Sequence, residues 1–143
     1  MSPRINSRAK GKSGELEFAR LIEQMTGVKL TRNLTQTRQG GHDLIVSGGP
    51  AALAEFLGKF AVEVKRAKSA PPATRAAWWE QTVRQAEKAQ LVPLLAHRRD
   101  REGWLIAIPL AAFSGRHEHT GPCELSLDSF IGWAWGQAEP PPE

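Results

Sequence analysis

The sequence predicts a mixed α/β fold, a central sheet flanked by helices around one core. Three observations predict it. First, amphipathic helical stretches alternate with short apolar, β-branched runs in the order helix, strand, strand, helix, strand, strand. Both element types within one chain imply helices packed on a sheet. Second, the 143 residues correspond to one domain and suffice for a real core. Third, 41% hydrophobic and 24% charged residues are ordinary values for a globular chain, with no repeat to suggest a solenoid.

The elements follow in order. Residues 1–12 carry Arg4, Arg8, Lys10 and Lys12 without an acid, and read as a flexible basic arm. Ser13 is the expected N-cap of a helix over about 14–25, with Phe18, Leu21, Ile22 and Met25 as its apolar stripe and Gly27 as its stop. "VKLTRNL" alternates weakly and then loosens into a polar loop. "HDLIVSGG" is a short strand beginning near Asp43 and stopped by Gly48-Gly49. "PAALAEFLG" forms a short helical turn, and "KFAVEVKRAK" is the next strand. Pro71-Pro72 marks a loop, followed by a helix over about 76–90. "LVPLLAHR" and "GWLIAIPL" are two strands joined by a charged turn, and "CELSLDSFIGWAWG" is a last strand with a short apolar helix. The single domain is thus expected over 13–136, with 137–143 as a disordered tail.

Composition excludes several classes. Cys123 is the lone cysteine, so neither an intrachain disulfide nor a cysteine-based zinc site is built, which suits a cytoplasmic setting. No apolar run approaches about 18 residues, and no signal peptide is evident, so no membrane partner is expected. The formal net charge of +4 and a sequence pI near 9.6 favour an anionic partner such as DNA. No tyrosine exists to form a covalent phosphotyrosyl link. His117 and His119 in "RHEH" lack a third ligand at useful spacing and read as a solvated loop.

"FAVEVKRAK" carries the chemistry. Successive strand side chains point to opposite faces, so Phe60, Val62 and Val64 share one face and Glu63 and Lys65 the other. One reading is an edge strand with a wet face. The other is half of a metal-dependent phosphodiesterase site. Magnesium takes oxygen ligands and usually only one or two protein carboxylates. A lysine beside the ion can steady the charge that develops on phosphate. An Asp, a Glu and a Lys on rigid neighbouring strands are the minimal kit, and Asp43, Glu63 and Lys65 supply it.

The Asp…Glu-Val-Lys pattern resembles the PD-(D/E)xK nuclease superfamily. "KGKSGELE" is similar to the opening of archaeal-type Holliday junction resolvases, "GGHDLIVSG" to the loop leading into their Asp strand, and "VPLLAHRRDREGWLIAIPL" to their closing hairpin. The resemblance covers roughly Lys10 to Leu110. His42 departs from the small or apolar residue usual before the Asp, Leu16 replaces a basic residue, and "GGPAALAEFLG" lengthens the gap from Asp43 to Glu63.

The resemblance implies a restriction-endonuclease-like core and a Mg²⁺-dependent endodeoxyribonuclease, with Mn²⁺ as a possible substitute. Its expected substrate is four-way or branched DNA, and its expected state a homodimer. The implied catalytic set is Glu15, Asp43, Glu63 and Lys65, with Asp43, Glu63 and Glu15 as metal carboxylates. Glu17 remains an alternative to Glu15, and either could instead only complement the helix dipole. Arg8, Lys10, Lys12, Arg32, Arg38, Arg66 and Lys68 flank the acids and are expected to contact phosphates. His42 and Gln81 are expected as supporting residues around the site. Two other readings stay open: a nuclease acting on ordinary duplex, and a catalytically silent DNA-binding module.

Overall fold

The structure, a computed structural model, describes residues 7–34, 41–114 and 121–138, with side chains from Lys12 onward. Helix α1 spans Ser7–Thr26 and buries Phe18 and Ile22. At its end the Thr26 hydroxyl donates to the Ile22 carbonyl (2.6 Å) and accepts the Val28 N–H (3.0 Å), turning the chain into β1, Lys29–Arg32. Strand β2, Leu44–Gly48, pairs antiparallel with β1. Gly49 has φ +126°, and a Cβ there would lie 2.7 Å from the Val28 Cα, so only glycine fits this turn. Helix α2 (Ala51–Leu57) leads to β3, Phe60–Ala67. Helix α3 (Pro72–Ala89) leads to β4, Val92–Arg99. Strand β5 (Leu105–Pro109), a 3₁₀ turn (Leu110–Ser114), β6 (Pro122–Ser126) and α4 (Leu127–Ala138) complete the chain.

The six strands of the described residues lie side by side in chain order. β3 and β4 run parallel, joined by the α3 crossover, and every other neighbouring pair is antiparallel. Phe60, Val62 and Val64 of β3, with Leu94, Ile106 and Ile108, pack against Phe18 and Ile22 of α1, Leu53 and Leu57 of α2, and Phe130 and Ile131 of α4. Phe60 makes edge contacts with Phe56 and Phe130 within this core. α3 packs on β3 and β4 from the opposite face, where its Trp78 meets His97.

This arrangement is the expected sheet flanked by helices, with three differences. α1 begins at Ser7, almost two turns before Ser13. Ala9 and the basic residues around it are good helix formers, so a charge run taken for an arm continues the helix. α3 begins at Pro72. Proline suits the first helical position because its missing N–H is one of the unpaired donors there anyway. α4 runs to Ala138, so Gln137 and Ala138 belong to it. Residues 1–6 and 139–143, the outer parts of the expected arm and tail, fall outside the described residues, as does the "RHEH" loop.

Candidate active site

β3 is an interior strand, so Glu63 is no wet edge: it is 2% exposed. The site forms where β2 and β3 part. Their ladder pairs Leu44 with Val62, and the Asp43 N–H donates to the Val62 carbonyl at 2.9 Å. The next inward donor on β3, the Val64 N–H, is taken by Asp43 Oδ2 at 2.8 Å. A buried N–H left unpaired would be costly, and the carboxylate stands in for the missing ladder carbonyl. The Asp43 carbonyl in turn accepts the Asn33 N–H at 2.8 Å. Asp43 is therefore held through both its backbone and its side chain.

Glu63 lies beside it. Its Oε1 is 3.3 Å from Lys65 Nζ, while Oε2 is buried without a hydrogen-bond partner among the described residues. Burial and the Asp43 charge push the Glu63 carboxyl up to about 8, against the pull of Lys65. Glu15, on α1, is the third acid. Burial and the same Asp43 charge raise it too, while Arg32 Nε, 2.8 Å from Glu15 Oε2, opposes the rise. α1 can bring Glu15 this close because Gly14 leaves room, a Cβ there falling 3.1 Å from the Arg66 Cβ.

Two carboxyls pushed up by burial and by the charge of Asp43 mark a site short of positive charge. Among the described residues no three His, Cys, Asp or Glu side chains form a ready-made metal cage. The donor set that fits is a pair, Asp43 and Glu63, which is what Mg²⁺ asks of a protein when water and phosphate complete its shell. The unpartnered Glu63 Oε2 is the atom a cation would satisfy. Glu15 already holds Arg32 and stands behind that pair.

The two helix glutamates separate cleanly. Glu17 Oε2 is 3.3 Å from Arg66 Nη1, and its Oε1 accepts from Arg98 Nη1 and, at 3.2 Å, from the Trp104 indole N–H. Glu17 ties α1 to β3, β4 and the start of β5, and faces away from Asp43. Arg66 is thereby drawn into the Glu17 tie rather than standing free for phosphate. Arg32 stands beside the acids, with its side chain 42% exposed. Lys12 and Lys68 are exposed, Arg8 and Lys10 lie on the first turns of α1, and Arg38 is outside the described residues. His42 is buried next to Asp43, and its Nδ1 lacks a partner among the described residues. Burial lowers its pKa against the pull of Asp43. Gln81 is half-buried on α3, beside the buried Thr82, and Gln85, one turn on, holds a buried Oε1 with no partner among the described residues.

One buried polar residue escaped the sequence reading. His97 is 1% exposed, its Nε2 is 2.7 Å from Glu124 Oε1, and it sits opposite Lys65 in the β3–β4 register. The available signal was its place in "LVPLLAHR", two residues after Leu95 on the same strand face. A cleft of about 580 Å³ opens between α3 and β6 and is lined by Arg75, Trp79 and Glu124, apart from the three acids.

The chain is 28% identical over 114 residues to "Protein D14" of Escherichia phage T5, covering 73% of this chain and 71% of that one. It is also similar to the solved structure of Archaeoglobus fulgidus Hjc, a Holliday junction resolvase, at 16% identity and a TM-score of 0.49, covering 86% of this chain and 96% of the other. A family model described as "Phage putative PDDEXK endonuclease" matches residues 6–120, a span containing Glu15, Asp43, Glu63 and Lys65. The chain belongs to this phage PD-(D/E)xK endonuclease family.

Proposed function

We propose that the protein is a Mg²⁺-dependent, structure-selective endodeoxyribonuclease that hydrolyses phosphodiester bonds in four-way or branched DNA. Mn²⁺ substitutes for Mg²⁺, and the enzyme works as a cytoplasmic homodimer. The observation that carries the metal-dependent chemistry is the meeting of Asp43 and Glu63 in a dry interior with Lys65 at 3.3 Å from Glu63. Such a cluster of acids is stable at neutral pH only with a cation or a proton among them.

In this reading Asp43 and Glu63 hold the ion. When bound, a divalent cation supplies the charge that lets water attack phosphorus near neutral pH and offsets the charge building on the phosphate. Asp43 is pre-aimed by the Val64 N–H and needs no reorganisation. Lys65 donates from Nζ to the attacking water or to a non-bridging phosphate oxygen. Glu15 keeps Arg32 beside Asp43, and the half-exposed guanidinium meets the DNA backbone. The products carry 5′-phosphate and 3′-hydroxyl ends.

Branched DNA is the favoured substrate because of the "KGKSGELE" opening, whose glutamate stands next to Asp43. Contacts to phosphate read shape rather than base sequence. A four-way junction offers two symmetric strands, which a two-fold dimer matches. The test is cleavage of a labelled four-way junction beside matched linear duplex, in Mg²⁺ and in EDTA, for wild type and Asp43→Asn. Paired metal-dependent nicks on the junction alone, lost in the variant, support the reading. Equal cutting of both DNAs removes the junction preference and leaves a duplex nuclease. Metal-independent binding without cutting would mean a silent binding module.

A further inference from the structure

Lys65 has a neighbour that the proposed chemistry does not use. The β2–β3 ladder pairs Leu44 with Val62, so the strand that flanks Lys65 in register is β4, and its residue there is His97. Paired residues on adjacent strands point to the same face, about 5 Å apart. The Lys65 stem and the His97 ring therefore stand side by side under α3.

A buried histidine on an interior strand has a desolvation cost that a leucine, such as Leu95 two residues earlier, would not. Here that cost is met by a dedicated set of contacts. Glu124 reaches from β6 across β5 to bring Oε1 within 2.7 Å of His97 Nε2. The strand between contributes Ala107, paired with both Leu95 and Glu124, and its small side chain leaves the path open. Trp78 of α3 covers the ring with a centroid separation of 6.0 Å. Backbone register, a carboxylate and an indole thus fix one imidazole beside Lys65 in the β3–β4 register.

We propose that His97, held by Glu124 and Trp78, is a positioning residue for Lys65. Its ring is the wall that keeps the Lys65 ammonium beside Glu63, aimed at the phosphate, instead of folding back across β4. Glu124 is 38% exposed and lines the cleft between α3 and β6, the strand at the end of the sheet away from β2. The inference rests on the nuclease reading above, in which Lys65 acts at the phosphate.

The test compares His97→Leu, Glu124→Ala and Glu124→Gln with wild type. Single-turnover cleavage is measured in Mg²⁺, DNA affinity in Ca²⁺, and the Lys65 side-chain signal by NMR of metal-free protein, assigned from its loss in Lys65→Arg. Cleavage by His97→Leu and Glu124→Ala is expected to slow roughly 10–100-fold, the usual range for loss of a supporting residue, with affinity unchanged. Glu124→Gln keeps a carbonyl that accepts the Nε2–H and restores most of the rate. The Lys65 signal shifts in the first two variants and not in the third. In a Lys65→Ala background His97→Leu adds no further loss, since both changes act through one group. Wild-type rates in both His97→Leu and Glu124→Ala, an equal loss with and without Lys65, or an unmoved Lys65 signal each overturn the inference. Where Lys65→Ala cuts too slowly to measure, the signal decides. If Asp43→Asn abolishes cutting while His97→Leu cuts at full rate, only this inference fails. If wild type cuts no DNA, the nuclease reading fails and takes the inference with it.

Discussion

Asp43 Oδ2 accepts the backbone N–H of Val64 at 2.8 Å, in the place where a ladder carbonyl of β2 would otherwise stand. One carboxylate thus closes a gap in the sheet. Asp43→Asn and Asp43→Ala both remove the charge, but only asparagine keeps an oxygen for the Val64 N–H. The alanine variant is expected to be less stable than the asparagine variant by about 1–3 kcal/mol, the cost of a buried unpaired donor. Urea unfolding of the two metal-free proteins measures the difference, and equal midpoints would show that the bond contributes nothing.

Glu63 sets a pH dependence. Its carboxyl is pushed up to about 8 in the fold, above the ordinary 4.5 of a glutamate, chiefly by burial and then by Asp43. The native state therefore holds a proton that the unfolded chain has released. The associated stability is fully present below the unfolded value and is lost as pH rises toward about 8. Metal-free wild type should lose stability relative to Glu63→Gln across that window, on the order of a few kcal/mol. Parallel unfolding curves for the two proteins at every pH in EDTA would contradict this. Mg²⁺ must displace the same proton, so its affinity should rise with pH over the same range.

Glu15 and Glu17, two residues apart on α1, should fail differently. Glu17→Ala strips a partner from Arg66, Arg98 and the Trp104 indole at once. It should destabilise the fold by about 1–3 kcal/mol and leave the folded enzyme cutting. Glu15→Gln relieves a raised carboxyl, so stability should hold while cleavage falls at least about tenfold. Thermal melts beside single-turnover rates separate the two, and the reverse assignment would appear as the reverse pattern.

Lys65→Ala should leave DNA affinity in Ca²⁺ near wild type and lower the Mg²⁺-dependent rate about 10²–10³-fold, the range for losing one donor at a developing charge. A loss confined to affinity would make Lys65 a phosphate anchor only.

Much of this was legible in the residues. Alternation in "FAVEVK" assigned Val62 and Val64 to the core and Glu63 and Lys65 to the other face, and the structure has that split. The order of helices and strands along the chain followed from apolar runs and turn residues. What stayed hidden depends on partners distant in sequence. Glu15 and Glu17 are both acids near the start of one helix, and only Arg66 and Arg98, on strands far along the chain, distinguish them. His97 was not singled out, because its partner Glu124 lies 27 residues further along the chain. Pro71-Pro72 and the basic run before Ser13 misled for a local reason. Proline is a loop signal that is also a helix opener, and a charge run is also a run of good helix formers.

The α3 crossover has a consequence for the timing of synthesis. β3 becomes an interior strand only when β4 docks in parallel beside it, and β4 follows the whole of α3 in the chain. A nascent chain that has exposed Asp43, Glu63 and Lys65 still lacks the wall that buries them, and so lacks the dry interior that makes them a site. Cutting activity should therefore switch on only as the last strands leave the ribosome, and chains truncated before β4 should be harmless to the DNA around them.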